Sequence, residues 1–268
     1  MPELAEVEFF RRVWSKAEGK RVSKVSASFD KRIFRDIPNV DFFTKFKGSI
    51  LNHSLRNGKK LCFIFNRDLW LGLHMGMTGR LLYINKKVKL PKYAYLVISL
   101  EDKSRLIFQD PRLFGRVLFS KSKSKPEWWS SCQDELISNT YTFEKMDAFL
   151  AQKGRRSIKP VLLIQDGFPG IGNWMADEIL WRSRIIPTAR VISLNRNVRM
   201  TLFYTIKEVC FDALRVIADG WKKPPNSWLF NHRWTNGGIC PKTDEPLVRE
   251  RISGRTACWS PRWQIHGS

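Results

Sequence analysis

The chain opens Met1-Pro2-Glu3-Leu4-Ala5-Glu6-Val7-Glu8, and this octet holds the residues best suited to chemistry. Once Met1 is removed, Pro2 presents a free secondary amine with carboxylates one helical turn behind it. Such an amine can attack a sugar C1′ or a carbonyl and leave a charged iminium. That is the covalent chemistry enzymes usually obtain from Lys, run on an α-amino group of pKa about 7.7–8 rather than 10.4. More of it is therefore unprotonated near neutral pH. The same octet is also an ordinary helix start, because Pro at the first helical position needs no N–H and carboxylates suit the positive helix end.

An attacking amine has to be held in place. Leu4, Val7, Phe10, Val13, Trp14 and Ala17 recur at helical spacing, so residues 3–18 form an amphipathic helix ended by Gly19, with Pro2 at its mouth. Short β-prone runs follow at Val22–Phe29, Leu61–Phe65, Leu69–Leu73, Leu81–Ile84, Tyr93–Leu100, Leu106–Phe108 and Arg116–Phe119. Broken by Asn-Gly, Thr-Gly and Glu-Asp turns, they predict a sandwich or barrel in a first domain, 1–120. The Ser/Lys-rich stretch with Pro126 marks a linker over 121–140. Helical patterns at Phe143–Gln152, Ile158–Gln165, Trp174–Arg184 and Val198–Ile217 define a helical domain, 141–222. The tail, 223–268, is rich in Pro, Gly, Trp and Arg and too short for its own core. It reads as a hairpin module packed on the helices, and the whole is an α+β chain.

Forty-seven Lys plus Arg against 25 Asp plus Glu give a net charge of +22, in a chain with 13% aromatic residues and 11 Trp. That aromatic content excludes a disordered basic tail as the source of the charge. A folded basic protein points first to nucleic acid, since phosphates draw dispersed Lys and Arg through counterion release, and second to an acidic membrane surface. Five scattered cysteines, Cys62, Cys132, Cys210, Cys240 and Cys258, form no disulfide framework and fit a reducing compartment. The N-terminus lacks an apolar signal core and no run is long enough to span a bilayer, so a soluble intracellular protein is expected.

Four further features stand out. Asp166-Gly-Phe-Pro-Gly-Ile-Gly-Asn173 puts three glycines before a helix with Asn173 as its N-cap. This is either a phosphate-binding turn or a plain interhelical turn. Met77, in His74-Met-Gly-Met-Thr-Gly79, and Arg112 with Phe114, in Gln109-Asp-Pro-Arg-Leu-Phe-Gly115, sit at strand ends. They could form a wedge that fills the hole left by an extruded nucleotide, or be ordinary core and surface residues. Lys59, after Asn57-Gly58, could neutralise a phosphate or be a solvated turn residue. In the tail, Cys240, Thr243, Ser260 and Trp263 keep the frame of a four-cysteine zinc site with one thiolate of four, so no zinc is expected.

Taken in order, these motifs resemble the formamidopyrimidine-DNA glycosylase and endonuclease VIII family of base-excision repair enzymes. The resemblance runs through Pro-Glu-Leu-Ala-Glu-Val-Glu, Arg56-Asn-Gly-Lys59, His-Met-Gly-Met-Thr-Gly, Asp-Pro-Arg-Leu-Phe-Gly, Ile-Gly-Asn173 with Glu178-Ile-Leu, and Gly254-Arg255-Thr256 ahead of Ser-Pro-Arg-Trp-Gln264. It implies an N-terminal β-sandwich with an N-terminal helix, a helix-two-turn-helix domain and a C-terminal hairpin in the form of a zincless finger. It makes Pro2 the nucleophile, Glu3 the acid that assists sugar-ring opening, Glu6 a supporting carboxylate and Lys59 part of the catalytic set. Lys59, Asn173 and Arg255 would hold phosphates, with His74 and Lys159 as further DNA contacts, and Met77, Arg112 and Phe114 would fill the void. The activity implied is a bifunctional glycosylase and abasic-site lyase acting on damaged double-stranded DNA. It would work as a monomer, without metal or small cofactor, in the cytoplasm or nucleoid of a bacterium or the nucleus of a eukaryote. Ala5 replaces a Pro common in the glycosylase branch, Leu113 replaces a frequent second Arg, and the stretch between Gly220 and Trp228 is short. Arg112 at the wedge fits the oxidised-purine branch, so oxidised or ring-opened purines are the expected substrates, with the short stretch lowering activity on 8-oxoguanine. Oxidised pyrimidines, or damage binding without catalysis, are the alternatives.

Overall fold

The computed structural model describes residues 1–37, 40–85 and 87–267, the side chains of 40–42 excepted. The fold is α+β and divides into two compact units, Met1–Cys132 and Gln133–Ser268.

In the first unit α1 (Leu4–Ser15) precedes β1 (Val22–Ala27), β2 (Leu51–Asn57), β3 (Lys60–Phe65), β4 (Leu69–His74), β5 (Arg80–Asn85), β6 (Ala94–Leu100), β7 (Ser104–Gln109) and β8 (Arg116–Lys121). They form two four-stranded antiparallel sheets, β1-β6-β7-β5 and β2-β3-β4-β8. Alternate residues from both sheets, among them Leu61, Phe63, Leu71, Leu73, Leu106 and Val117, meet Val7, Phe10 and Trp14 of α1 in one core. Apolar side chains at period two in the strands and at helical spacing in α1 make that core possible. Trp14 fixes the helix, its ring centroid 4.8 Å from Phe63 and its indole N–H donating to the Leu82 carbonyl at 3.1 Å.

Strand β2 escapes the sequence reading, because Asn52, His53 and Ser54 are polar and a register shift between Leu51 and His53 breaks the alternation. Part of the stretch expected as a linker is folded as well. The short helix α2 (Glu127–Ser130) packs Trp129 with Cys62 and Trp70 on the outer face of the second sheet. Two adjacent tryptophans carry too much apolar area to remain in solvent.

The second unit contains α3 (Phe143–Ala151), α4 (Ile158–Leu162), α5 (Asn173–Arg182), α6 (Arg196–Val216) and the hairpin β9 (Val248–Ile252) and β10 (Arg255–Trp259). The hairpin has no core of its own. Cys240, Leu247 and Cys258 close on Trp181 of α5 and on Leu229, with Trp263 alongside.

Candidate nucleic-acid site

Pro2 lies half-buried immediately before α1, and Glu3 is buried as the N-cap of that helix. Glu3 and Glu6 form a reciprocal capping box, in which the Glu3 carboxylate accepts from the backbone N–H of Glu6 and the Glu6 carboxylate accepts from that of Glu3 at 3.1 Å. The two carboxylates therefore have fixed positions directly behind the proline.

A residue outside the expected set ties this helix mouth to the Lys59 turn. Buried Glu8 receives Arg11 at 2.8 Å and Arg12 at 2.9 Å, and lies 3.4 Å from Arg56 at the end of β2. Burial pushes the Glu8 carboxyl up, yet these guanidiniums bring it below its ordinary value. After Arg56 and Asn57 the chain reverses through Gly58, at φ +53°, and Lys59, which is buried, and Asn57 pairs with Lys60. A positive φ at the first of two hairpin positions suits glycine.

The two turns quoted from sequence come together. A Cβ on Gly76, at φ +59°, would lie 2.4 Å from the Phe114 backbone, so only glycine lets the turns touch. Fully buried Asp110 is the organiser. It accepts from the Thr78 hydroxyl at 3.0 Å and from the Gly115 N–H at 2.7 Å, while its carbonyl accepts from the Leu113 N–H. Met77 and Phe114 stay 40% and 45% exposed, and the Arg112 guanidinium lies 4.9 Å from the Phe114 ring centroid. Two large apolar side chains and an Arg thus stand exposed on touching turns, outside the core. His74 supports the same turn, its Nδ1 accepting from the Gly76 N–H at 3.1 Å. Burial, with Lys59, Lys60, Arg116 and Arg35 around it, pushes the imidazole down to about 4. His74 is therefore neutral at pH 7 and carries its proton on Nε2.

In the second unit Asn173 is the first residue of α5, and Gly172 is the N-cap in place of the expected Asn173. Its side-chain amide donates to the Thr256 carbonyl at 2.9 Å and so joins α5 to the hairpin. Lys159, expected at the DNA surface, is instead fully buried. It pairs with Asp177 and donates to the carbonyls of Asn173 at 3.2 Å and Thr256 at 3.4 Å. Arg233 closes on the other Asp177 oxygen, which also accepts from the Cys258 N–H at 3.2 Å. Sequence reasoning missed Asp177 and Arg233. Two acids inside the apolar helix Trp174-Met-Ala-Asp-Glu-Ile-Leu-Trp181 were the signal, since a buried carboxylate requires a partner. The second acid, Glu178, is raised by burial, accepts from Arg182 and the Phe230 N–H at 3.0 Å each, and through Arg182 reaches Asp212 of α6.

Arg255 opens β10 directly after Ser253 and Gly254, at φ +49° and +78°, and pairs with Ile252. This is a two-residue hairpin turn with both central residues left-handed, and it leaves Arg255 exposed at the tip. The four positions of the zinc frame are held by other means. The Trp181 indole donates to Cys240 Sγ at 3.4 Å, the Trp263 indole donates to the Trp181 carbonyl at 2.9 Å, and the Arg184 guanidinium lies 4.5 Å from the Trp263 ring centroid. Burial pushes the Cys240 thiol up, but polar groups around it, the Trp181 indole N–H among them, leave it below its ordinary value. Among the described residues no group of three or more His, Cys, Asp or Glu is placed to hold a metal ion.

Comparisons with known proteins agree with this architecture. Residues 1–117 match the formamidopyrimidine-DNA glycosylase N-terminal domain and residues 133–224 match the H2TH domain of the same proteins. A formamidopyrimidine-DNA glycosylase of Trichormus variabilis is 32% identical over 280 residues, covering 99% of this chain and all of the relative. One from Arabidopsis thaliana is 30% identical, covering 98% of this chain and 71% of the relative. Two solved structures share the fold at TM-score 0.85: MutM in complex with DNA containing carbocyclic 8-oxo-G, 22% identical over 98% of this chain and 99% of that one, and Lactococcus lactis Fpg with DNA containing an abasic site, 23% identical with the same coverage. By the two domain matches, which together span most of its length, and by these relatives, the chain belongs to the formamidopyrimidine-DNA glycosylase family.

Proposed function

We propose that this protein is a bifunctional DNA glycosylase and abasic-site lyase of base-excision repair that acts on damaged double-stranded DNA. The observation that carries the reading is the amine position of Pro2 at the mouth of a capped helix, with Glu3 buried beside it. A protein that only bound DNA would have no use for it. Once Met1 is gone, the Pro2 nitrogen attacks C1′ of the damaged nucleotide, the glycosidic bond breaks and the base leaves with the electron pair and a proton. Glu3 assists ring opening by protonating the sugar oxygen. Loss of a C2′ proton from the resulting iminium then expels the 3′ phosphate and breaks the strand. Met77, Arg112 and Phe114 occupy the gap left by the extruded nucleotide. Exposed Arg255 contacts phosphate, and Lys59 and His74 do so from the first unit. Lys159 acts indirectly by fixing Asn173 and the hairpin.

Substrate preference follows from the stretch Trp221–Trp228. Asn231 donates to the carbonyls of Pro224 at 3.0 Å and Pro225 at 2.7 Å, and His232 bonds the Asn226 carbonyl at 2.8 Å. Trp228 is buried, its ring centroid 4.7 Å from the Arg182 guanidinium. Prolines restrict the backbone further, so this segment is fixed in place and has little chain with which to close over an everted purine. Discrimination falls while the sugar chemistry persists. Single-turnover rates on matched duplexes test this: ring-opened purines and abasic sites are expected to be processed faster than 8-oxoguanine opposite cytosine. If 8-oxoguanine is fastest of the panel, the fixed segment does not set specificity. If oxidised pyrimidines lead, the purine assignment fails.

The hairpin works as a zincless finger in this reading. Elemental analysis is expected to give far less than one zinc per chain, and chelators should leave DNA affinity unchanged. Arg255→Ala should weaken it by about 1.5–3 kcal/mol, the range for hydrogen bonds to a charged group. One zinc per purified chain would sink the zincless assignment.

A further inference from the structure

The outer face of the second sheet in the first unit carries an opening that shares His74 with the proposed DNA contacts and otherwise lies outside the proposed catalytic set. Its volume is about 310 Å³, and it is lined by Lys60, Gly72, His74, Arg116, Leu118 and Trp128, with Leu61 and Leu73 below. That is the lower end of small-ligand pockets. Register explains how it arises. Lys60 faces His74, and His74 faces Arg116, so three basic residues stand in one row across β3, β4 and β8. The next row on this face is Cys62, Gly72 and Leu118. Gly72 has no side chain there, and a Cβ on it would lie 2.7 Å from the Trp128 ring. The Trp128 indole therefore rests on bare backbone and is pinned by its N–H to Ser120 Oγ at 2.9 Å.

The result is a rigid, half-exposed indole beside a row of donors. Asp36 fixes Arg116 through Nε and Nη2. Lys60 is exposed, and its ammonium lies 3.6 Å from Cys132 Sγ. Because Gly76 occupies Nδ1 of His74, the proton on Nε2 remains to be donated. A carboxylate beside Arg116 tempers the charge but leaves Lys60 unopposed by it. A flat aromatic wall adjoining an ammonium and an N–H donor matches a base joined to a phosphate.

We propose that this opening is a nucleotide subsite: Lys60 and His74 take a phosphate, and Trp128 stacks a base. Two sources present that chemistry, a free nucleoside monophosphate and a single-stranded stretch of DNA. The subsite does not depend on the proposed lyase reaction, and its test uses binding alone.

Calorimetric titration of the full chain with thymidine 5′-monophosphate is expected to give saturable binding, with thymidine and inorganic phosphate each weaker. Trp128→Ala should weaken the monophosphate about tenfold or more, the scale of losing one stacked base. Trp128→Phe should restore most of it. Lys60→Gln, at an exposed position that leaves the core intact, should weaken both the monophosphate and inorganic phosphate, while Glu3→Gln should change neither. Oligothymidylate binding over tenfold tighter than the monophosphate, with the same Trp128 and Lys60 dependence, assigns the subsite to a strand. Comparable affinities assign it to the free nucleotide. Absence of saturable binding, or binding indifferent to both Trp128→Ala and Lys60→Gln, overturns the proposal.

Discussion

Protein from which Met1 has been removed, mixed with abasic-site duplex and borohydride, is expected to form a covalent complex stable to denaturation, and protein that retains Met1 is expected to form none. With Met1 attached, the Pro2 nitrogen is an amide whose lone pair is delocalised into the carbonyl, and it cannot form an iminium. Free, it is an α-amine of pKa about 7.7–8, so roughly a tenth or more is unprotonated at pH 7, against well under a thousandth for an ordinary Lys near 10.4. Met1 is exposed and makes no hydrogen bond to the described residues, so its loss leaves the Glu3–Glu6 cap intact. Pro2→Gly should still trap, but more weakly, because it supplies a primary amine on a looser backbone. Glu3→Gln should lower turnover by about 10²–10⁴-fold, the usual scale for a positioned proton donor, with little change in melting temperature. Equal trapping by the Met1-retaining form would move the nucleophile to a Lys and remove the basis of the proposed reaction.

The difference between what sequence reading could and could not reach has a physical pattern. Helix α1 and seven of the strands follow from apolar periodicity, since a face buried against one core has to repeat. Candidate chemistry was legible wherever its residues are neighbours in the chain, as in Pro2-Glu3 or the quoted turns. Residues that act by joining distant segments were not. Asp177 meets Arg233 across 56 positions and Cys258 across 81, and no local pattern encodes either pairing. The Glu8–Arg56 tie between α1 and the Lys59 turn is of the same kind. Lys159 was misplaced for a related reason. A Lys in a basic protein reads as a phosphate contact until its carboxylate partner is located, and that partner lies on the next helix. Because Asn is a common N-cap, the sequence places the start of α5 one residue late; Gly172 takes the cap and the Asn173 side chain reaches Thr256.

Asp177→Asn is expected to lower the stability of the second unit by about 3–5 kcal/mol, the scale for breaking a buried ion pair by removing one partner. The cost comes from what remains. The Lys159 ammonium and the Arg233 guanidinium are both buried against the same carboxylate. An amide offers each a dipole in place of a charge, and the Cys258 N–H loses an ionised acceptor. The melting transition of that unit should fall by on the order of 10 °C. DNA affinity should fall with it, because the same cluster locks β10, and hence Arg255, to the first turn of α5. Asp212→Asn provides the contrast. Its pairs with Arg182 and Arg215 sit nearer solvent, and such pairs contribute about 0–1 kcal/mol. Replacing all three charges at once, as Lys159→Met, Asp177→Leu and Arg233→Met, should recover much of the loss, since an apolar core owes nothing to an absent partner. Denaturant unfolding of the full chain, with hydrogen exchange at the Cys258 amide, reads these effects. A change below about 1 kcal/mol for Asp177→Asn would mean that the apolar contacts of Trp181, Leu229 and Leu247 hold the hairpin without the buried charges.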